Sequence, residues 1–215
     1  GKLEKIKDIK ERCPNLDLLG VNAYAALLNV PEWLREYGWE KPFVVTEWGP
    51  SGWWEVPRTK QGVVIEETGT EKARVYRERY EKVIMADPRC LGSYVFLWTT
   101  NRQERTHTWF NMFHDSLKTE TVEVMQYMWT GKWPANRAPR IAYPAINGLG
   151  PLESIEVAPS SINTATVEAS DPDNDGRAHE HGAGGAREGW RLRTAQGTAR
   201  ARASRGGRRT RGPAR

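Results

Sequence analysis

The sequence predicts an α/β fold in which helices alternate with the buried strands of a parallel sheet. Hydrophobic patterns follow the order helix, strand, helix, strand, helix, strand, helix between residues 2 and 129. The strand segments are also almost continuously apolar, which is typical of strands that are covered on both faces. Three strands cannot close a barrel or bury both faces of a sheet, so we expect this unit to be part of a larger domain.

The first two strands are each preceded by a helix. Residues 2–12 have the apolar spacing of an amphipathic helix, and residues 16–22 form an apolar run that predicts the first strand. Residues 31–38 predict a short helix with proline in its first turn. The run at 41–46, Lys-Pro-Phe-Val-Val-Thr, predicts the second strand, and Glu47 follows it directly.

The third strand follows a long loop and a helix. Residues 49–69 form the loop, which contains two adjacent tryptophans. Residues 70–86 have helical spacing behind a threonine cap. Residues 90–98, Cys-Leu-Gly-Ser-Tyr-Val-Phe-Leu-Trp, predict the third strand, and a last helix is expected near 119–129.

Composition divides the chain into four segments. The α/β unit occupies residues 1–131, and the Pro- and Ala-rich residues 132–150 predict a linker. Residues 151–175 show a β-type alternation that predicts the first two strands of a small β-sandwich. Residues 176–215 contain 11 Arg, 9 Gly and 8 Ala. Such a segment has too few apolar side chains to form a core and predicts a disordered basic tail.

The charge is divided unevenly along the chain. The net charge is +5 overall, but residues 176–215 hold 11 Arg and 2 Glu, so they carry +9 and residues 1–175 carry −4. Two interpretations of the tail stay open. One is a nucleic-acid-binding arm, and the other is an out-of-frame translation of GC-rich DNA, for which arginine without lysine beside glycine and alanine is typical. The acidic body gives no reason to expect a nucleic-acid partner.

Composition also excludes several classes of protein. No apolar run approaches the ~18 residues of a membrane span. Two cysteines make neither a disulfide framework nor a zinc site, and we expect no metal and no cofactor. The chain has 10 Trp, most of them between residues 33 and 129. Their flat apolar faces are suited to stacking on sugar rings.

The strongest local signal is Thr-Glu-Trp-Gly at residues 46–49. A carboxylate at the carboxyl end of a buried parallel strand lies where α/β enzymes place catalytic groups. Asn22 ends the preceding strand with Tyr24 just beyond it, and Trp98 ends the following strand. We therefore expect the side chains of Tyr24, Glu47 and Trp98 at one edge of the sheet. A structural loop glutamate is the alternative for Glu47.

These residues carry a family resemblance. Lys-Pro-Phe-Val-Val-Thr-Glu-Trp-Gly, the tryptophan-rich loop and Gly-Ser-Tyr-Val-Phe-Leu-Trp together resemble the last third of a clan A (β/α)8 glycoside hydrolase, closest to the family 2-type barrels. The resemblance covers about residues 1–131 and implies strands 6–8 of a TIM barrel. Asp-Pro-Asp-Asn-Asp at 171–175 resembles the signature of cadherin-like and polycystic-kidney-type (PKD) β-sandwich modules.

The resemblance implies a retaining mechanism on a β-linked saccharide, with Glu47 as the nucleophile. It implies that Tyr24 lies near this carboxylate and that Trp98 forms the base of the subsite for the cleaved sugar. Further substrate-binding candidates lie at the same edge: Asn22, Trp48, Trp53 and Trp54. For each of these tryptophans, packing within the protein is the alternative.

The resemblance also implies that the acid/base residue is missing. In this family the acid follows an asparagine at the end of the fourth strand, and this chain starts just before the sixth. Four loop carboxylates are available, but none matches that position: Glu55, Glu66, Glu67 and Glu104. We therefore expect the chain alone to be inactive.

Two functions from other classes stay open. A non-catalytic carbohydrate-binding protein would retain the aromatic residues without the acid, and an arginine-rich nucleic-acid binder would depend on residues 176–215 alone. We expect the partner to be an oligo- or polysaccharide, and we expect no membrane span. The sequence does not determine the oligomeric state. The resemblance to secreted enzymes implies an extracellular or periplasmic parent protein, although these residues show no signal-peptide pattern.

Overall fold

The computed structural model describes residues 4–99, 105–114, 116–173, 188–195 and 198–202, the last two as backbone only. The α/β unit contains, in chain order, α1 (Glu4–Arg12), β1 (Leu19–Asn22), α2 (Val30–Glu36), β2 (Phe43–Trp48), α3 (Gly69–Arg79), β3 (Cys90–Val95), β4 (Phe113–His114), β5 (Leu117–Lys118) and α4 (Glu120–Thr130). A 3₁₀ turn, Ala25–Asn29, leads into α2, and a π-helical turn, Tyr80–Ile84, extends α3.

The three predicted strands form one parallel sheet in the order β1-β2-β3. β1 pairs with β2 and β2 pairs with β3, both in parallel, and β2 therefore lies in the middle. The prediction of an α/β unit with parallel strands is confirmed at this level. These described strands do not by themselves define a closed barrel.

The core lies between one face of this sheet and the helices. Phe43, Val45 and Trp48 of β2 are completely buried and pack in one cluster with α2 and α3. The other face of the sheet is more open, since Leu91 and Tyr94 of β3 are largely exposed. Apolar burial on one face therefore fixes the sheet against the helices, and polar groups can occupy the other face.

Helix α3 begins at a threonine cap, as the sequence predicts, and the structure shows that the cap is reciprocal. The Thr68 hydroxyl accepts a hydrogen bond from the main-chain N–H of Glu71, and the Glu71 carboxylate accepts one from the N–H of Thr68. This capping box satisfies two N–H groups that a helix start otherwise leaves without partners. It fixes where the long loop at 49–69 ends.

The predicted linker is packed against α4. The carboxylate of Glu123 is almost fully buried, forms an ion pair with the ammonium of Lys118 (2.9 Å) and accepts a hydrogen bond from the main-chain N–H of Ala138 (2.7 Å). The rings of Tyr127 and Trp133 stack at 4.4 Å, and the Arg137 guanidinium lies 4.0 Å from the centroid of the Trp133 ring. Because a buried carboxylate must keep its donors, residues 133–138 are held against α4.

Part of the predicted linker has strand structure, since β6 (Arg140–Ile141) and β7 (Ala145–Ile146) lie within residues 132–150. Two further strands follow it, β8 (Ile162–Val167) and β9 (Ala169–Ser170). β8 contains the second strand that the alternation predicts. The first predicted strand is absent, because Pro151–Glu153 forms a 3₁₀ turn and no strand covers Val157. The N–H of Asp173 donates to the side chain of Asp171, so the start of the acidic cluster at 171–173 is an Asx turn.

Part of the predicted disordered tail has strand structure. β10 (Glu188–Ala195) pairs antiparallel with β8 and with β11 (Thr198–Arg202). The correction has a physical reason: main-chain pairing at an open strand edge does not depend on an apolar composition. The remaining residues of this predicted tail lie outside the described residues. In the part of the chain that the structure describes, no helix has the length and apolar character to cross a bilayer.

One charged pair ties the helical layer to the sheet. The Asp87 carboxylate accepts hydrogen bonds from Nε (3.0 Å) and a terminal nitrogen (2.6 Å) of Arg89. The same guanidinium donates to the main-chain carbonyls of Trp39 and Pro31. The hydrogen bonds from Arg89 lower the pKa of Asp87 below its ordinary value, although partial burial opposes this shift.

We expect Asp87→Asn to destabilise the protein by about 1–3 kcal/mol at pH 7, because it removes a charge-assisted hydrogen bond. A folded-state pKa below the unfolded value stabilises the protein above about pH 4, and this contribution is lost as the pH falls through the folded pKa. Urea unfolding at pH 7 and at pH 3 should therefore show a smaller difference between variant and parent in acid. Asp8→Asn, at an exposed position of α1, is the matched control. An equal loss at both pH values would contradict the assignment.

Candidate functional site

Glu47 lies near the carboxyl end of β2, and two side chains from the preceding segment hold its carboxylate. The Tyr24 hydroxyl donates to Oε1 at 2.6 Å, and Nδ2 of Asn22 donates to Oε2 at 3.3 Å. The Thr46 hydroxyl donates to Oδ1 of Asn22 at 2.6 Å, which orients the amide. Of the three side chains that the sequence predicts at one edge, Tyr24 contacts Glu47, whereas the ring contact of Trp98 is with Phe113.

Strand pairing explains this contact. Asn22 is the register partner of Glu47, after a shift by one residue between β1 and β2. The main-chain N–H of Ala23 donates to the carbonyl of Glu47 at 2.9 Å, so pairing continues past the end of β1. Tyr24 follows at once and is buried, which restricts its hydroxyl to the position beside Oε1.

A cavity of about 430 Å³ opens in front of this carboxylate. Its lining includes Asn22, Tyr24, Glu47, Trp54 and Glu55. Trp54 meets the Tyr24 ring edge to face at 5.3 Å, and 49% of its surface is exposed. The cavity therefore combines two carboxylates, a phenol, an amide and a half-exposed indole with an otherwise mainly apolar lining, a combination typical of small-molecule sites.

Glu55 is the second carboxylate at this cavity, and it links two loops. Its Oε2 accepts hydrogen bonds from the main-chain N–H groups of Ala25 (2.9 Å) and Gly52 (2.8 Å). Two main-chain donors at one oxygen fix the carboxylate between the segment after β1 and the segment after β2. Sequence reasoning identified Glu55 only as an available loop carboxylate and did not predict this link.

The predicted contact between Trp48 and substrate is corrected. Trp48 is completely buried and its ring packs against those of Tyr76 (5.1 Å) and Tyr80 (6.2 Å). Neighbouring residues on a strand point to opposite faces. Because Glu47 faces the cavity, Trp48 enters the core.

Trp53 and Trp98 also lie apart from the cavity lining. Trp53 meets Trp54 edge to face and has the Arg105 guanidinium 5.4 Å from its centroid. β3 ends at Val95, so Trp98 stands three residues beyond the strand, 50% exposed and 4.8 Å from the ring of Phe113. Of the predicted tryptophans, the described geometry therefore brings only Trp54 to the cavity of Glu47.

The other candidate carboxylates have structural partners. Glu66 forms an ion pair with Lys72 at 2.6 Å and accepts a hydrogen bond from Thr106. Burial raises the pKa of Glu66, but Lys72 and the hydrogen bonds outweigh this effect and lower it. Glu67 accepts from the N–H and the hydroxyl of Ser51. Glu104 lies outside the described residues.

The described histidine and cysteine side chains do not form a common site. His107 and His114 stack at 4.8 Å, which the sequence does not predict. Cys13 is exposed and Cys90 is partly buried, and both are free thiols. Within the described ranges, no group of three or more His, Cys, Asp or Glu side chains is placed to hold a metal ion.

Comparison with known proteins adds no assignment: no family model matches the chain, and no curated protein matches its sequence.

Gly49 is required by the geometry of the segment that follows Glu47. A Cβ at this position would collide with the main-chain oxygen of Phe96, while the N–H of Phe96 donates to the carbonyl of Trp48 at 2.6 Å. A side chain here would push β2 and the end of β3 apart. The motif Thr-Glu-Trp-Gly therefore needs its glycine for close approach of two backbones.

We expect Gly49→Ala to destabilise the protein by about 1–3 kcal/mol, because main-chain atoms cannot move aside as a flexible side chain does. Gly69→Ala is the matched control, since the nearest atom to its new Cβ would be 3.9 Å away. That variant should be neutral or more stable by up to about 1 kcal/mol. Urea denaturation measures both, and equal stabilities of the two variants would argue against the close approach.

Proposed function

We propose that this chain carries the nucleophile portion of a retaining glycoside hydrolase that acts on a β-linked saccharide. The observation that carries the proposal is the arrangement at Glu47, whose two carboxylate oxygens accept hydrogen bonds from Tyr24 and Asn22. The order and direction of β1, β2 and β3 agree with consecutive strands of a (β/α)8 barrel, the sixth to the eighth in the proposed numbering. The parent protein is proposed to be extracellular or periplasmic.

Glu47 has the geometry of a nucleophile that is held in place before reaction. Its carboxylate would attack the anomeric carbon while the glycosidic oxygen leaves with the bonding electron pair, giving a covalent glycosyl-enzyme. The hydrogen bonds from Tyr24 and Asn22 restrict the rotation of the carboxylate, so one oxygen can be presented to the sugar. Tyr24 and Asn22 are thus orienting groups for Glu47.

The proposed substrate is a neutral saccharide. The charged side chains that line the described cavity are the carboxylates of Glu47 and Glu55 and the exposed ammonium of Lys5. An anionic sugar would meet two carboxylates there, and like charges at short range repel. The exposed half of Trp54 supplies an apolar face for a sugar ring.

The general acid is left unassigned. Glu55 shares the cavity, but one of its oxygens is held by two main-chain N–H groups. We therefore expect no turnover of a natural glycoside by this chain. A glycoside with an activated leaving group needs no protonation and can still react with Glu47.

The test is covalent labelling by 2,4-dinitrophenyl 2-deoxy-2-fluoro-β-glycosides of gluco, galacto and manno configuration, followed by intact and peptide mass spectrometry. We expect one adduct, on a peptide that contains Glu47. Glu47→Gln should abolish labelling, whereas Glu36→Gln, at an exposed position of α2, should not. Labelling at another residue, or no labelling together with no binding of β-linked oligosaccharides by tryptophan fluorescence, would overturn the proposal. Saccharide binding without an adduct would instead establish the non-catalytic carbohydrate-binding function.

We expect Tyr24→Phe to slow labelling of Glu47 by at least about tenfold, because a hydrogen bond to a charged group contributes roughly 1.5–3 kcal/mol. The ring remains to pack against Trp54 and Phe110, so the fold should be retained. Trp53→Phe, outside the cavity lining, is the control. An unchanged labelling rate in Tyr24→Phe would show that the phenol does not orient the nucleophile.

A further inference from the structure

Every polar main-chain and side-chain group of Ser51 has a partner. Its N–H and hydroxyl donate to the two carboxylate oxygens of Glu67 at 3.0 and 2.7 Å. Its hydroxyl also accepts from Arg79 at 3.0 Å, and its carbonyl accepts from the indole N–H of Trp109 at 3.0 Å. Four hydrogen bonds at one loop residue fix the position of both the main chain and the side chain of Ser51.

Arg79 is the centre of this arrangement. Its side chain extends from the last turn of α3, only 4% of the residue is exposed, and one terminal nitrogen donates to the carbonyl of Gly49 at 2.5 Å. The other donates to Ser51. Burial lowers the pKa of Arg79, while the negative charge of Glu67 opposes this shift. A buried guanidinium without these partners would be costly, so they are held together.

The anchored residues connect directly to the candidate site. Gly49 is two residues from Glu47 and is pressed against the main chain of Phe96. Gly52 follows Ser51, and its N–H reaches Glu55, which in turn holds the N–H of Ala25 next to Tyr24. Displacement of the segment 49–52 would therefore move the carboxylate and the segment that bears its phenol donor.

We propose that Arg79 is a positioning residue that, through Gly49 and Ser51, fixes the carboxylate of Glu47 relative to Tyr24 and Asn22. The expected effect on the labelling of Glu47 rests on the proposed function, whereas the positioning of its carboxylate by Arg79 does not. Arg79 lies on the helix side of β2 and does not line the cavity of Glu47. Its effect on the reaction at Glu47 comes only from fixing the main chain at Gly49 and Ser51.

The experiment compares Arg79→Lys with Arg74→Ala, which removes an exposed arginine from the same helix. Lysine keeps the charge but lacks the planar guanidinium, so it loses the geometry in which two separate nitrogens of Arg79 donate to Gly49 and Ser51. One readout is the pair of side-chain amide resonances of Asn22 in ¹H–¹⁵N spectra of the full chain, because this amide touches Glu47. The second readout is the rate of labelling of Glu47, and the indole N–H of Trp109 reports whether the anchor itself has opened.

For Arg79→Lys we expect shifted Asn22 amide resonances and a labelling rate lower by about tenfold to a hundredfold, with neither change in Arg74→Ala. A shifted Trp109 indole with unchanged Asn22 resonances and an unchanged rate would overturn the proposal, since the anchor would then be structural only. If Arg79→Lys fails to fold, Ser51→Ala removes the hydroxyl without exposing a charge, and the same two outcomes decide. A parent chain that is not labelled would contradict the proposed function, while the Asn22 resonances would still test the positioning.

Discussion

The pairing of β2 with β1, including its shift by one residue, is the constraint on which the candidate site depends. Phe43 and Val45 point into the core, so strict alternation along β2 would also send Glu47 there. The register moves from Val21 opposite Val45 to Asn22 opposite Glu47, which leaves Thr46 as an extra residue. An extra residue exchanges the two faces of a strand. As a result Trp48 takes the buried position, and Glu47 reaches the open face where Asn22 and Tyr24 meet it.

The same shift explains how an apolar core and a polar site share a strand of six residues. The core needs large side chains on the helix side, and Trp48 supplies one against Tyr76 and Tyr80. The site needs hydrogen-bonding side chains on the other side, and Thr46, which donates to Asn22, supplies one of them. Because the extra residue is the one that orients the Asn22 amide, the irregularity serves the geometry of the site as well as the change of face.

The sequence predicts the three parallel strands, the main helices of the α/β unit and the contact of Glu47 with Tyr24, because these depend on local hydrophobic runs and on the edge where parallel strands end. It does not predict the face that Trp48 occupies, since the register shift is decided by pairing between residues about 25 positions apart. Nor does the sequence identify Arg79. Nothing in the local sequence distinguishes it from the other charged residues of the helix, and its partners lie in a distant loop. The sequence does not predict the strand pairing of Glu188–Ala195 for a related reason: the open edge of β8 is a property of the folded chain. Local patterns therefore predict the parallel strands and the main helices, and long-range pairing decides which side chains face the cavity.

The two steps of the proposed retaining mechanism make different demands on the arrangement at Glu47. Formation of the glycosyl-enzyme needs an oriented carboxylate and a leaving group that can depart. Release of the sugar needs a base that activates water, and the carboxylate of Glu55 is engaged by main-chain donors on one oxygen. Under the proposed function, the described residues therefore favour the first step over the second, and a glycosyl group from an activated donor should persist on Glu47 once it is transferred. A persistent ester would indicate a site that has the nucleophile but lacks the base. In a complete site, the same pair of carboxyl groups would form the adduct and then hydrolyse it.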